Sequence, residues 1–295
     1  MSRSRETRAR GFTLVELVLV IAIGGVLAAA LVIFLRPAVD NYVASRQRGE
    51  LLHRADGALT TIVRDVRRAL PNSIRMVGNQ CFELVPTKAG GRYRAGPDTV
   101  NDSAPGCTPG ASCAAWVDTS AATTVFDVLG WGSSVAAVGD YVVINNQNGN
   151  DVYDGLNRSL ITGLSTPSAS QGKQRITMAA QQVSPGYDGG RFFIVPASRQ
   201  AVFFSCTGAD GTLDAAGDGK GTLLLNEAYG FNAAYPSSCP SSGTVLASKV
   251  KSCNFVYDPN QGATQQSGFV WMEIEIARAG ETAHLSMGAH VSNIP

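Results

Sequence analysis

Histidine is scarce in this sequence: only His53, His284 and His290 occur among 295 residues. There is no H-E-x-x-H pair, no G-x-S-x-G turn and no P-loop. Those absences remove the usual sequence routes to zinc hydrolysis, serine hydrolysis and nucleotide phosphate binding. The six cysteines form no C-x-x-C pair, so they lack the close ligand spacing of ordinary zinc sites. Charged residues make up only 16% of the chain, and no internal repeat or second long helical pattern is visible. The sequence offers no constellation for an enzyme and calls for no cofactor.

Nor does the charge gather as a nucleic-acid footprint would. Residues 1–75 hold 12 Arg against 6 Asp and Glu, while the remainder holds 12 Lys and Arg against 17 acidic residues. The basic excess lies partly in the first 11 residues and partly along one helical segment, not on one folded surface.

What is abundant is glycine, at 32 residues, with hydrophobic residues at 44%. That balance suits a β-rich, loop-rich secreted domain. Cys81, Cys107, Cys113, Cys206, Cys239 and Cys253 all follow the hydrophobic segment described next. An even count without metal spacing reads as a disulfide framework in an oxidising compartment. Cys107 and Cys113 share a Gly-, Pro- and Ser-rich stretch over 95–123, read as a surface loop, where a local bridge is expected. The other four cysteines leave three connectivities open.

Residues 1–11 read MSRSRETRARG, with four Arg against one Glu. Phe12–Leu35 follows: 24 residues with a single charge, Glu16. That length crosses a bilayer core as a helix. The basic flank should stay cytoplasmic and the bulk of the chain face outward. Glu16 needs a reason, because a carboxylate within an apolar span costs about 2.5–3.5 kcal/mol on insertion. An ordinary signal peptide has no use for it, so the carboxylate requires a partner, for which a free α-amino group is suitable.

Gly11-Phe12-Thr13-Leu14-Val15-Glu16, with its basic leader and apolar run, resembles the type III signal of type IV pilins and pseudopilins. The resemblance implies cleavage after Gly11 by a prepilin peptidase and N-methylation of the new first residue, Phe12. It implies that Glu16 neutralises the N-terminal amine of a neighbouring subunit during assembly. It also implies a long spine helix, with other pilins, an inner-membrane assembly platform and the membrane itself as partners. The expected site is the bacterial inner membrane, with the globular part periplasmic or at a pilus tip.

Beyond Arg36-Pro37 the helical spacing resumes, with Leu52, Ala55, Leu59, Ile62, Val66 and Leu70 on one stripe. Arg54, Arg64, Arg67 and Arg68 take the other faces, read as solvated. Gly49 and Gly57 weaken the helix, and Pro71-Asn72 should end it. Short strand-like runs then alternate with turns, as at Cys81–Val85, Thr124–Leu129, Tyr141–Asn145, Arg191–Val195, Ala201–Cys206, Thr222–Asn226, Lys249–Tyr257, Phe269–Ala277 and Thr282–Ser292. The expected fold is α+β, a spine helix laid on an antiparallel sheet. Its parts are a leader over 1–11, a transmembrane helix over 12–35, the amphipathic second half of the helix over 36–70, and a globular domain over 71–295.

Asp210, Asp214 and Asp218 share one loop, and Asn150, Asp151 and Asp154 another, but neither has EF-hand spacing and Asp is common in turns. No metal site is assigned. His284 and His290 share one face of the last strand without a third ligand.

The stretch Arg64–Arg75, Gly139–Val143 and the ending His290–Pro295 resemble the minor pilins of mannose-sensitive haemagglutinin pili, which are related to the J-type pseudopilins of type II secretion. K-type tip pseudopilins lack the carboxylate that this chain has at Glu16. The resemblance implies a structural subunit that helps initiate or cap a filament. The alternatives are a pseudopilin whose short filament moves folded substrates, and a tip adhesin or ligand-binding domain.

Overall fold

The computed structural model describes residues 12–103, 107–110, 112–131, 136–168, 170–186, 189–260 and 267–294. The leader, Gly11 and Pro295 lie outside the described residues. One compact unit ends at Glu50 and a second begins at Leu51.

A single helix, α1 (Leu14–Arg67), runs through both. The Thr13 hydroxyl accepts the backbone N–H of Glu16 at 3.3 Å, capping the first turn in the T-x-x-E pattern. Pro37, Gly49 and Gly57 all sit inside the helix without breaking it. From Leu51 onward one face is buried: Leu51, Ala55, Ala58, Leu59, Ile62 and Val66. Leu52, expected on that stripe, is 42% exposed, and Leu51 occupies the inward position instead. The arginines expected on the solvated faces, Arg54, Arg64, Arg67 and Arg68, are exposed.

The helix stops at Arg67, sooner than the expected boundary at residue 70. Tertiary hydrogen bonds end it before Pro71 does. The N–H and hydroxyl of Thr87 both donate to the Arg68 carbonyl at 2.8 Å, and the Leu70 N–H donates to the Val85 carbonyl at 2.8 Å. Carbonyls with partners outside the helix no longer require another helical turn.

The helix face from Leu51 covers an antiparallel sheet. Its strands are β1 (Arg75–Val77), β2 (Cys81–Leu84), β9 (Val202–Thr207), β10 (Gly221–Asn226), β11 (Thr244–Asp258), β12 (Ser267–Arg278) and β13 (Glu281–Ser292), side by side in that order. Alternation is regular in β12, where Val270, Met272, Ile274 and Ile276 are fully buried and Trp271 is exposed. The α+β architecture is therefore observed, with strands at all nine expected runs.

A second β body was not expected. Strands β3 (Ala89–Tyr93), β4 (Thr123–Trp131), β5 (Tyr141–Ile144), β6 (Arg158–Ser165), β7 (Gln174–Gln181) and β8 (Arg191–Val195) close into a barrel in the order β3-β4-β7-β6-β5-β8. Its interior holds Phe126, Val128, Ile161, Ile176, Phe192 and Ile194. The chain leaves the sheet after Leu84 and re-enters at Val202, and these two residues are direct register partners. The barrel is thus an insertion between adjacent strands of the sheet.

Candidate functional site

Two regions carry chemistry: the exposed N-terminal helix and a set of buried ion pairs around the helix exit. In the first, Phe12 is 70% exposed, and every described apolar side chain from Leu14 through Ile23 is exposed as well. The 18-residue apolar window is long enough to cross a membrane and is 0% buried within the chain. Among the described residues this apolar window is left uncovered, and burying it calls for lipid or other chains. Glu16 lies one turn into this helix, on an exposed position next to the cap.

In the second region the residues leaving the helix are pinned by charge. Asp65, in the last helical turns, is buried and receives both Nη atoms of Arg199, at 3.1 and 2.6 Å. Arg199 also donates to Glu227 at 2.6 Å. Burial works against the Arg199 charge, but the bonds from Asp65 and Glu227 outweigh it and raise its pKa above the ordinary arginine value. An open cleft of about 760 Å³ beside this pair is lined by Arg67, Arg68, Lys88 and Phe193. Lys88 is held there by Asp140 at 2.5 Å.

Deeper inside, Arg75 of β1 is 1% exposed and Glu83 of β2 is fully buried. Glu83 Oε2 accepts from Arg75 Nε at 2.9 Å and Nη2 at 2.5 Å, and Oε1 accepts from the Tyr229 hydroxyl at 2.6 Å. The guanidinium lies 3.5 Å from the ring centre of Tyr153, in the short helix α2 (Asp151–Asp154) between β5 and β6. It also donates to Asn150 and to the Asn232 carbonyl. Burial pushes the Glu83 carboxyl above its usual range, while Tyr229 and Arg75 pull it back part of the way. Burial, and then the charge of Glu83, pushes the Tyr153 and Tyr229 hydroxyls up.

The sheet, the barrel insertion and the 227–243 loop thus meet at one ion pair. A ring of amides reinforces the junction: Asn146 donates to the Pro71 carbonyl at 2.6 Å, Asn72 donates to the Asn146 carbonyl at 2.8 Å, and Tyr153 donates to the Ser73 carbonyl at 2.8 Å. Sequence reasoning missed this cluster. The signal was present in the run Cys81-Phe82-Glu83-Leu84-Val85, where a lone carboxylate inside an apolar strand demands a buried cation.

The cysteines pair as Cys81–Cys239, Cys107–Cys113 and Cys206–Cys253. Cys81–Cys239 ties the 227–243 loop to β2 beside the ion pair, and Cys206–Cys253 joins β9 to β11. The described part of the 95–122 loop is fastened by a buried pair in the barrel. Arg175 donates to Asp127 at 2.6 and 2.9 Å and to the carbonyls of Gly110 and Cys113. The loop aspartates serve turns and pairs: Asp214 accepts the N–H groups of Ala216 and Asp218, Asp218 pairs with Lys249, and Asp151 accepts from Asn148. His284 sits 2.5 Å from Glu273, and His290 packs on the ring of Phe269. Among the described residues no group of three His, Cys, Asp or Glu side chains is placed to hold a metal.

Set against known proteins, one segment of the chain matches a family model. Residues 7–32 carry a prokaryotic N-terminal methylation motif. This is the signal of type IV pilins and of the pilin-like proteins of type II secretion, and it spans the cleavage, methylation and carboxylate positions read from the sequence. The methylation motif coincides with the helix whose apolar window is uncovered among the described residues, and both fit membrane anchoring. No curated protein and no solved structure matches the chain.

Proposed function

We propose that this chain is a minor pilin of a type IV pilus, of the mannose-sensitive haemagglutinin kind, which helps initiate or cap filament assembly. The observation that carries the reading is the methylation motif over residues 7–32 laid on an apolar helix left uncovered among the described residues. Before assembly that surface rests in the inner membrane, and in a filament it packs against the same helix of other pilins. Prepilin peptidase cuts between Gly11 and Phe12, and the disulfide-bonded globular part lies on the periplasmic side. The chain works as a structural subunit, with an inner-membrane platform supplying the assembly machinery.

In this reading Glu16 pairs with the amine of a neighbouring subunit's Phe12. In a filament core of low dielectric, opposite charges attract far more strongly than in water, and an unpaired buried charge costs several kcal/mol. Glu16→Ala should leave membrane insertion intact, since it removes a carboxylate from the apolar span, while incorporation beside partner pilins falls. Co-purification with partner pilins and counts of pili measure this. Assembly at wild-type levels, or loss traced to a degraded globular domain, contradicts the assigned role. Deleting the gene separates the pilus from a type II secretion system: the first reading expects fewer pili with secretion unchanged, and loss of secretion with pili intact overturns it.

A further inference from the structure

The two edges of the sheet are built differently. At one edge β1 has only three residues and is covered by the 227–243 loop, whose Tyr235 hydroxyl donates to the Met76 carbonyl and which Cys81–Cys239 fastens in place. The opposite edge is β13, twelve residues long. It pairs with β12 from Ser267↔Ser292 to Arg278↔Glu281 without a bulge, and among the described residues no strand or backbone hydrogen bond covers its far side.

Long regular edges normally carry a safeguard against pairing: a lysine, a proline, a bulge or an inward-pointing charge. β13 has no lysine, proline or bulge, and its one carboxylate, Glu281, stands at its first residue. From Thr282 through Ile294 the chain contains no Asp, Glu, Lys, Arg or Pro. The buried layer continues into β13 at Ala283, Ala289 and Val291 but is incomplete at the middle of the strand. Met272 and Ile274 of β12 are fully buried, yet their cross-strand partners Met287 and Leu285 are only half-buried. Adding one more strand would complete the ladder and cover both side chains.

We propose that the free edge of β13 pairs with β13 of a second copy of this chain, antiparallel about a two-fold axis. A strand meets its own copy in an isologous contact, so any charge near its middle would face a like charge across the axis. From 282 to 294 there is no Asp, Glu, Lys or Arg, and the two titratable side chains, His284 and His290, lie off the middle of the strand, which makes β13 self-compatible in this sense; the ladder it offers is regular over its full length. The result is one sheet continuous across two molecules. This inference rests on the sheet alone and holds whether the filament belongs to a pilus or to a secretion system.

The test is the mass of the full-length protein purified in detergent, measured by light scattering with the detergent contribution subtracted. The wild type is expected at twice the monomer mass, and Ser286→Lys, which sets like charges near the axis, at half that value. Ser248→Lys, on an exposed position of the interior strand β11, should keep the doubled mass. Should Ser286→Lys fail to fold, hydrogen exchange of the wild type decides: amides of 281–292 should become more protected as protein concentration rises. A monomeric wild type overturns the proposal. So does a doubled mass that Ser286→Lys leaves unchanged, a complex with a different pilin in place of a copy, or protection independent of concentration.

Discussion

Replacing Glu83 with alanine should destabilise the folded domain more than any surface change. The substitution removes both carboxylate bonds to Arg75 and leaves a guanidinium that is 1% exposed without its counter-charge. It also strips the acceptor from the Tyr229 hydroxyl. Breaking a buried pair by deleting one partner costs about 3–5 kcal/mol, because the remaining charge stays desolvated. For a folded unit of 150–250 residues each kcal/mol moves Tm by about 2–4 °C, so the expected fall is about 6–20 °C. Near-ultraviolet circular dichroism on heating the full-length protein in detergent measures it. The double variant Arg75→Met/Glu83→Leu supplies the control. Replacing both charges by apolar groups is often close to neutral; the Tyr229 hydroxyl then lacks its acceptor, at about 1–3 kcal/mol, while Asn150 and the Asn232 carbonyl, which lose the Arg75 donor, sit on half-buried and exposed residues where water replaces it. The double variant should therefore be more stable than Glu83→Ala alone. A fall under 2 °C for Glu83→Ala, or a double variant less stable than the single one, would refute the view that this pair holds sheet, barrel and 227–243 loop together.

Other outcomes follow from the same geometry. Periplasmic material alkylated without reductant should show no modified cysteine by mass spectrometry, and peptide mapping should return Cys81–Cys239, Cys107–Cys113 and Cys206–Cys253; free thiols at all six positions would contradict the expected oxidation. Asp218 has its pKa lowered, first by the bond from Lys249 and then by the Ala279 N–H. A carboxylate lowered in the folded state stabilises above its unfolded pKa, and that contribution is lost as pH falls through the folded value. Asp218→Asn should therefore be less stable than wild type at neutral pH, with the difference shrinking in acid; a gap that widens in acid would reverse the sign of this argument.

The helix and the sheet were legible because each imposes a period on its apolar residues. The stripe through Ala55, Leu59, Ile62 and Val66 repeats every three or four residues, and β12 alternates strictly. Its first position was misplaced by one residue because Leu51 and Leu52 are adjacent and identical in type, so only packing distinguishes them. The barrel was not legible as a body. β3, with the sequence AGGRY, reads as a turn, since glycine is depleted in strands. Its Gly91 is nevertheless required: a Cβ there would stand 2.4 Å from the Gly130 carbonyl oxygen and 2.9 Å from the ring of Phe192. β6 and β7 mix threonine, serine, glutamine and alanine with few large apolar residues, because a small barrel needs only one inward side chain in two. At the N-terminus the order was different. Leader, Gly-Phe junction, Glu16 and apolar run are local and need no tertiary contact to be read. The buried pairs Arg75–Glu83, Asp127–Arg175 and Asp65–Arg199 join residues 8, 48 and 134 positions apart, a relation that no local pattern encodes.

Processing after Gly11, on which the proposed pilin-type role depends, is read from the mass of the N-terminal peptide. Protein extracted from membranes of a host that carries prepilin peptidase should begin at Phe12, with the α-amine methylated and residues 1–11 absent. A chain that still carries Met1, or one that begins after Ala30 as an ordinary signal-peptide cleavage would leave it, would rule out processing at Gly11 and with it the proposed pilin-type role.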